Sequence, residues 1–256
     1  MRLPAFFLFA GLGPAAALGP ETETAFRRHI QAREEAIDRD RIHGEHFLWA
    51  EESQDRLRRV RSGEVVIDPV TGKGDLEVKG GLVHDWIGAV FIPGAQLERV
   101  LARVQNYDNH KNVYKPEVID SRTLSRQGND YRIYLRLLKK KVITVVLNTE
   151  HDVRYFPLDA TRAHSRSYST RIAEVSGPGG PGEHELAPGK DHGFLWRLYS
   201  YWRFAERDGG VYVECEAVSL TRGVPFGTGW LIVPIIRELP RESLASTLGS
   251  TRDSVR

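Results

Sequence analysis

One hairpin restricts what this chain can fold into. Residues 194–206 alternate aromatic and polar side chains, Asp208-Gly209 follows, and residues 211–221 alternate again. Asp-Gly is a favoured two-residue turn because both central residues adopt positive φ. With that turn as the loop, Arg203 falls opposite Glu214 and Tyr201 opposite Glu216. On the other face Phe204 meets Val213, Trp202 meets Cys215, and Ser200 meets Ala217. A one-residue slip would exchange the two faces and bury the charges, so the pattern specifies this register. Large rings set against small partners are ordinary sheet packing, and they also leave room for something else.

Residues 1–19 read as a secretory leader. Arg2 is a short basic start, residues 3–18 are apolar, and Ala15-Ala16-Ala17 offers a small-residue cleavage site. The expected location is therefore periplasmic or extracellular. Cys215 is the single cysteine, which excludes an intramolecular disulfide. It lies on the apolar face of the hairpin and is expected to be a small core residue, not a nucleophile. Beyond the leader no segment is long and apolar enough to span a bilayer. The 256 residues are 41% hydrophobic and 27% charged with a formal charge of only +2, so no basic excess points to nucleic acid.

Residues 21–62 are charged and helical in pattern, with one thin apolar stripe of Phe26, Ile30 and Ile37. They read as a helical arm docked by Phe47, Leu48 and Trp49. Short strands follow at 64–70 and 75–79, then a stronger strand at 82–92 and a helix at 95–105 with Leu97, Val100, Leu101 and Val104 on one face. Strands are expected at 117–126, 131–138, 142–151 and 161–175. A turn at Lys139-Lys140-Lys141 would pair Leu137 with Ile143 and Leu135 with Val145, with Arg132 and Arg136 on the other face. Ser165, Ser167 and Ser169 share one face of the last of these strands. Residues 176–193 form a loop rich in Gly and Pro. Pro240 suits a first helical position, with Leu244 and Leu248 on one face of a closing helix. Helices covering one face of an antiparallel sheet make an α+β layer fold.

This order resembles the START-like, or SRPBCC helix-grip, superfamily over residues 82–254. Three stretches carry the likeness. His84-Asp85-Trp86-Ile87-Gly88 through Phe91-Ile92-Pro93-Gly94 resembles the first strand leading into the first helix. Asn106-Tyr107-Asp108 through Tyr114-Lys115-Pro116-Glu117-Val118 resembles the segment joining that helix to the second strand. Tyr201-Trp202-Arg203-Phe204, Asp208-Gly209-Gly210, Leu220-Thr221-Arg222 through Pro225, and Pro240-Arg241-Glu242-Ser243-Leu244 resemble the last hairpin and closing helix of exported bacterial, polyketide cyclase-like members. The resemblance implies a curved antiparallel sheet of about seven strands wrapped on a C-terminal helix. The N-terminal helical arm is extra. The expected division is a leader at 1–19, an arm with short strands at 20–80, and a START-like domain at 81–256.

The resemblance also implies a cavity for a hydrophobic or lipid-like molecule. Trp202, Phe204 and Trp230 are the expected apolar lining, with His84 or Asp85 and Tyr114 nearer the polar end and Trp86 and Tyr107 beside them. The bland alternative is a filled core. His84 and Asp85 alternate on a strand, so only one points inward and they cannot form a side-by-side dyad. Tyr107, His110 and Tyr114 could ring a pocket mouth. Burying a twelve-carbon chain yields roughly 10 kcal/mol at about 0.8 per methylene, against about 4–15 kcal/mol for association. Tight binding therefore needs a long chain or a polar anchor. No catalytic motif, cofactor or metal is expected; His43 and His46 lack a third ligand. The reading is an exported carrier or sensor for a hydrophobic or amphipathic small molecule, with transient membrane contact allowed. The alternatives are a cyclase, dehydratase or hydrolase using the same cavity, or a partner-binding scaffold.

Overall fold

The computed structural model describes residues 17–140, 144–223 and 229–255, with the backbone alone for 229–237. The chain opens with helix α1 (Pro20–Ile37), a short π-helical continuation (Asp38–Ile42), a 3-10 turn (Trp49–Glu52) and helix α2 (Gln54–Arg61). Strands β1 (Val66–Pro69), β2 (Asp75–Val78) and β3 (Gly81–Pro93) follow, then α3 (Leu97–Val104) and the helical turn α4 (His110–Val113). The meander β4 (Val118–Gln127), β5 (Asp130–Lys140), β6 (Thr144–Pro157) and β7 (Arg162–Ser176) comes next. After the short β8 (His184–Glu185), the hairpin β9 (Arg197–Arg207) and β10 (Gly210–Arg222) leads to α5 (Gly229–Val255).

The antiparallel sheet runs β3-β10-β9-β7-β6-β5-β4, with β1 and β2 placed end to end along the free edge of β3. First strand beside last, meander outward, and a long closing helix against the first strand make this the helix-grip arrangement. The β9–β10 register is the one expected, from Arg203 opposite Glu214 to Ser200 opposite Ala217, closed by Asp208 at φ 56° and Gly209 at φ 76°. The β5–β6 register differs. Leu137 pairs with Leu147 and Leu135 with Thr149, because both strands run on to Lys140 and Thr144. The slip is even-numbered, so the same residues still face inward. The closing helix also differs from expectation: Pro240 lies inside α5, not at its start.

Alternation fixes two faces. The concave face carries Trp86, Val90, Ile92, Phe204, Val211, Val213 and Cys215, packed with Leu97, Val100 and Val104 of α3 and Leu244 and Leu248 of α5. Leu248 can approach because Gly88 lacks a side chain; a Cβ there would lie 2.7 Å from Leu248 Cδ1. The convex face is not left to solvent. Phe47, Leu48, Trp49 and Ala50 pack on Ile87, Ala89, Phe91 and Tyr212. Phe26, Ile30 and Ile37 of α1 pack on Val83, Tyr201, Val218 and Leu220. The arm is thus docked by the stripe and the aromatic knot expected for it. The strand β3 is consequently buried on both faces from Gly81 to Ile92.

Candidate functional site

Covering the convex face has an electrostatic consequence. Arg203, Glu214 and Glu216 are 1%, 0% and 1% exposed, where the hairpin pattern alone suggested a solvated charged face. The arm supplies their partners. Arg33 of α1 donates to Glu216 through Nε at 2.9 Å and Nη2 at 3.0 Å. Glu214 accepts the backbone N–H groups of Trp49 and Ala50, each at 2.8 Å, and Arg203 Nε at 3.2 Å. Tyr168 and Tyr201 both donate to Glu34, at 2.6 and 3.0 Å, and Arg166 binds Asp38.

Asp85 belongs to this convex network. Its Oδ2 lies 2.8 Å from His29 Nε2 and 3.6 Å from Arg33 Nε. Burial raises its carboxyl above the ordinary carboxylate range, against the lowering effect of the His29 hydrogen bond. Asp85 therefore does not line the concave face, a correction to its expected place near a ligand's polar end. The reason is parity: its neighbours His84 and Trp86 take the inward positions.

The concave face is best described as rungs across the strands. One rung runs Trp86, Ala217, Ser200, Ser167, Val153, Tyr131. The next toward the turn of the hairpin runs Gly88, Cys215, Trp202, Ser165, Tyr155. On the opposite side His84 pairs with Ser219, Ser219 with Leu198, Ser169 with His151, and His151 with Ile133. Beyond it Leu82 pairs with Thr221 and Thr149 with Leu135. Trp202 stacks on Phe204 with ring centroids 6.0 Å apart and donates Nε1–H to Ser200 Oγ at 3.2 Å.

Phe204, Val213 and Cys215 are fully packed, but Leu135, Leu137, Leu198, Ser200, Trp202 and Ala217 are only half-buried. A mid-strand inward residue of a wide sheet stays half-buried only where the face opposite it is incompletely filled. These residues mark a trough on the β5 and β9–β10 parts of the concave face. Where α5 meets β5, a cavity of about 130 Å³ opens between Pro116, Glu117, Leu138, Lys139, Leu239 and Ser243.

The ring cluster at the far end is interior, not a mouth. Tyr107 and Tyr155 share a hydroxyl hydrogen bond of 2.8 Å, Tyr131 donates to Gln105, and Tyr114 lies 3.1 Å from Thr251 Oγ1 of α5. His110 sits between Tyr107 and Tyr114, at 4.7 and 4.8 Å, and bonds the Val104 carbonyl at 2.9 Å. All three expected mouth residues are thus buried, because the helical turns after α3 fold them beneath α5. Burial pushes the Tyr114 phenol up to about 12 and the His110 imidazole down to about 4. Burial also raises the Tyr107, Tyr155 and Cys215 pKa values, which keeps those groups neutral.

Of the expected lining, His84, Trp86, Trp202 and Phe204 face the concave side, and His84 Nε2 lies 3.1 Å from Thr221 Oγ1. The side chain of Trp230 lies outside the described residues. The residue that sequence reasoning passed over is His151. It stands inward on β6, 3.0 Å from Thr149 Oγ1, and burial lowers its pKa to about 4. The signal was present: His151 shares the period-two alternation of Leu147, Thr149 and Val153.

No protein-family model matches the chain, and no curated protein matches it. Solved structures align with it at low sequence identity. A Thermus thermophilus protein aligns at 17% identity and TM-score 0.48, covering 66% of this chain and 94% of that one. A STAR-related lipid transfer protein fragment from Xanthomonas axonopodis aligns at 18% and 0.47, covering 72% and 99%. The Zhui aromatase/cyclase from a Streptomyces species aligns at 12% and 0.45, covering 68% and 93%. The architecture described above is a helix-grip arrangement, with a helical arm added on the convex face.

Proposed function

We propose that this protein is an exported carrier or sensor that holds an apolar or amphipathic small molecule between the concave face and α5. One observation carries the reading: Leu135, Leu137, Trp202 and Ala217 face inward within their strands and remain half-buried. Covering such surface contributes about 25 cal/mol per Å², so a ligand lying along the trough recovers what the core leaves unburied. Trp202 and Leu135 would contact the apolar part, with the Ser, Thr and His positions of the neighbouring rungs near the polar part. Export rests on the leader pattern of residues 1–19.

Titration with the uncharged dye N-phenyl-1-naphthylamine tests the binding reading. Saturable enhancement at one site, weakened at least fivefold in Trp202→Ala with far-ultraviolet dichroism unchanged, is the expected result. Absence of saturable binding by the wild-type protein refutes it. N-terminal sequencing of protein recovered outside the cytoplasm tests export, with a start close to residue 18 expected.

A further inference from the structure

One ammonium group ends an otherwise uncharged row. The inward positions of β5 run Tyr131, Ile133, Leu135, Leu137 and Lys139. Leu135 and Leu137 are half-buried, and so is Lys139, whose side chain is 23% exposed. From Leu135 to Lys139 the strand advances about 13 Å. Lys139 thus closes a strip of open apolar surface with a positive charge partly withdrawn from water.

Three separate parts of the chain surround this ammonium. Glu117, just before β4, pairs with Lys139 Nζ, and Ser243 of α5 accepts from it at 2.6 Å. All three residues line the cavity of about 130 Å³ between α5 and the end of β5. An ammonium carries three hydrogens, and among the described residues Glu117 and Ser243 take two of them. Glu117 is itself 25% exposed. An ion pair open to water to that extent contributes little, so Glu117 positions the ammonium without committing it. The other charged groups on the cavity wall, Lys140 and Glu242, are opposite in sign, and both are exposed.

The remaining charged residues on this side of the sheet lie elsewhere and are engaged. Glu206 accepts the Leu97 backbone N–H at 2.6 Å, and Glu174 accepts the His192 backbone N–H at 3.0 Å. Arg126 of β4 stands opposite Tyr131 at the far end of β5. It lies over that ring at 4.8 Å and donates to the Gly128 carbonyl at 3.1 Å. Among the described residues, Lys139 is the cation that meets both the half-buried leucines and a cavity.

We infer that Lys139 anchors the acidic head group, carboxylate or phosphate, of an amphipathic ligand whose hydrocarbon lies along Leu137 and Leu135. The inference rests on the trough being a ligand site, and it adds a charged end to that site. The head group takes the third hydrogen of Nζ, and Glu117 gives way toward water, as its exposure permits. The new pair is stronger than the one it loosens, because the ligand's own hydrocarbon screens it from solvent.

Displacement of N-phenyl-1-naphthylamine at pH 7.5 tests this with dodecanoate, dodecyl phosphate, 1-dodecanol and dodecyltrimethylammonium, each below its aggregation concentration. At least one of the two anions should bind about tenfold more tightly than the alcohol, and the cation more weakly than the alcohol. The ranking of the two anions separates a carboxylate from a phosphate head group. Lys139→Met should bring the preferred anion to within about twofold of the alcohol and leave the alcohol unchanged, while Lys139→Arg keeps the preference. Glu117→Gln removes the competing carboxylate and should tighten the anion about threefold. An alcohol that binds as tightly as both anions overturns the head-group assignment while upholding the ligand site, and so does an anion preference that survives in Lys139→Met. If Lys139→Met does not fold, Glu117→Gln decides, and an anion affinity unmoved by it overturns the assignment. Failure of the dye and all four probes to bind overturns the ligand site as well.

Discussion

Replacing Glu214 by alanine should release the arm from the sheet around residues 48–50. The Glu214 carboxylate is fully buried and holds three donors: the N–H groups of Trp49 and Ala50 at 2.8 Å and Arg203 Nε at 3.2 Å. Arg203 is equally buried, and its two Nη atoms have no hydrogen-bond partner among the described residues. Removing one member of a buried ion pair destabilises by about 3–5 kcal/mol, mostly through the stranded charge. Each stranded buried N–H adds about 1–3 kcal/mol if it stays dry. These terms do not simply add, because lifting the segment lets water in and exposes Phe47, Leu48 and Trp49 instead. The expected loss is therefore about 4 kcal/mol, a large part of the roughly 5–15 kcal/mol that holds a typical domain folded. Glu214→Gln keeps one acceptor oxygen and should lose about half as much. Urea unfolding at pH 7 measures the loss, and hydrogen exchange over residues 45–61 locates it. A loss below about 1 kcal/mol, with arm protection unchanged, would show that this carboxylate does not anchor the arm.

Three further outcomes are expected. His110 and His151 titrate near 4 in the folded protein, against 6.5 when unfolded. A lowered histidine pKa means that their stability contribution is whole above pH 6.5 and is lost as pH falls toward 4. Each should remove about 2 kcal/mol between pH 7 and 5, at about 1.36 kcal/mol per pH unit, in urea titrations that His151→Leu makes shallower. Asp85 acts with the opposite sign, since its raised pKa weakens the fold as pH rises through it; Asp85→Asn should steepen the net acid loss. Gly88→Ala places a Cβ 2.7 Å from Leu248 Cδ1 and 2.9 Å from Ile67 Cγ1, and should destabilise by about 1–3 kcal/mol, partly restored by Leu248→Ala. Tyr107→Phe strands the buried Tyr155 hydroxyl and should cost about 1–2 kcal/mol, with no further loss on adding Tyr155→Phe.

Much of the architecture is legible in the chain because it is local. Asp208-Gly209 sets the last hairpin to the residue, since a two-residue loop leaves one register. The β5–β6 pairing is four residues away from expectation, because three consecutive lysines mark a solvated tip without saying which residue turns. An even slip is nonetheless harmless to face assignment. That is why Ile133, Leu135 and Leu137 were placed inward correctly and why His151, at an unexamined inward position of β6, was passed over. Tyr107, His110 and Tyr114 read as a loop and proved to be interior. A polar aromatic carries the same letter whether its hydroxyl meets water or, as here, Tyr155 and Thr251.

Alternation and turn chemistry thus reach as far as which residues share a face. They do not reach the identity of what covers that face. Arg203, Glu214 and Glu216 read as a solvated surface and Asp85 as a ligand-site candidate, and all four lie under the arm. His29 and Arg33 arrive there from more than fifty residues away in sequence. The contacts that decide burial here join parts of the chain with no local relation. Only the assembled sheet, gripped by α5 on one side and α1 on the other, makes one face a buried, charged interface with the arm and leaves half-buried apolar residues on the other.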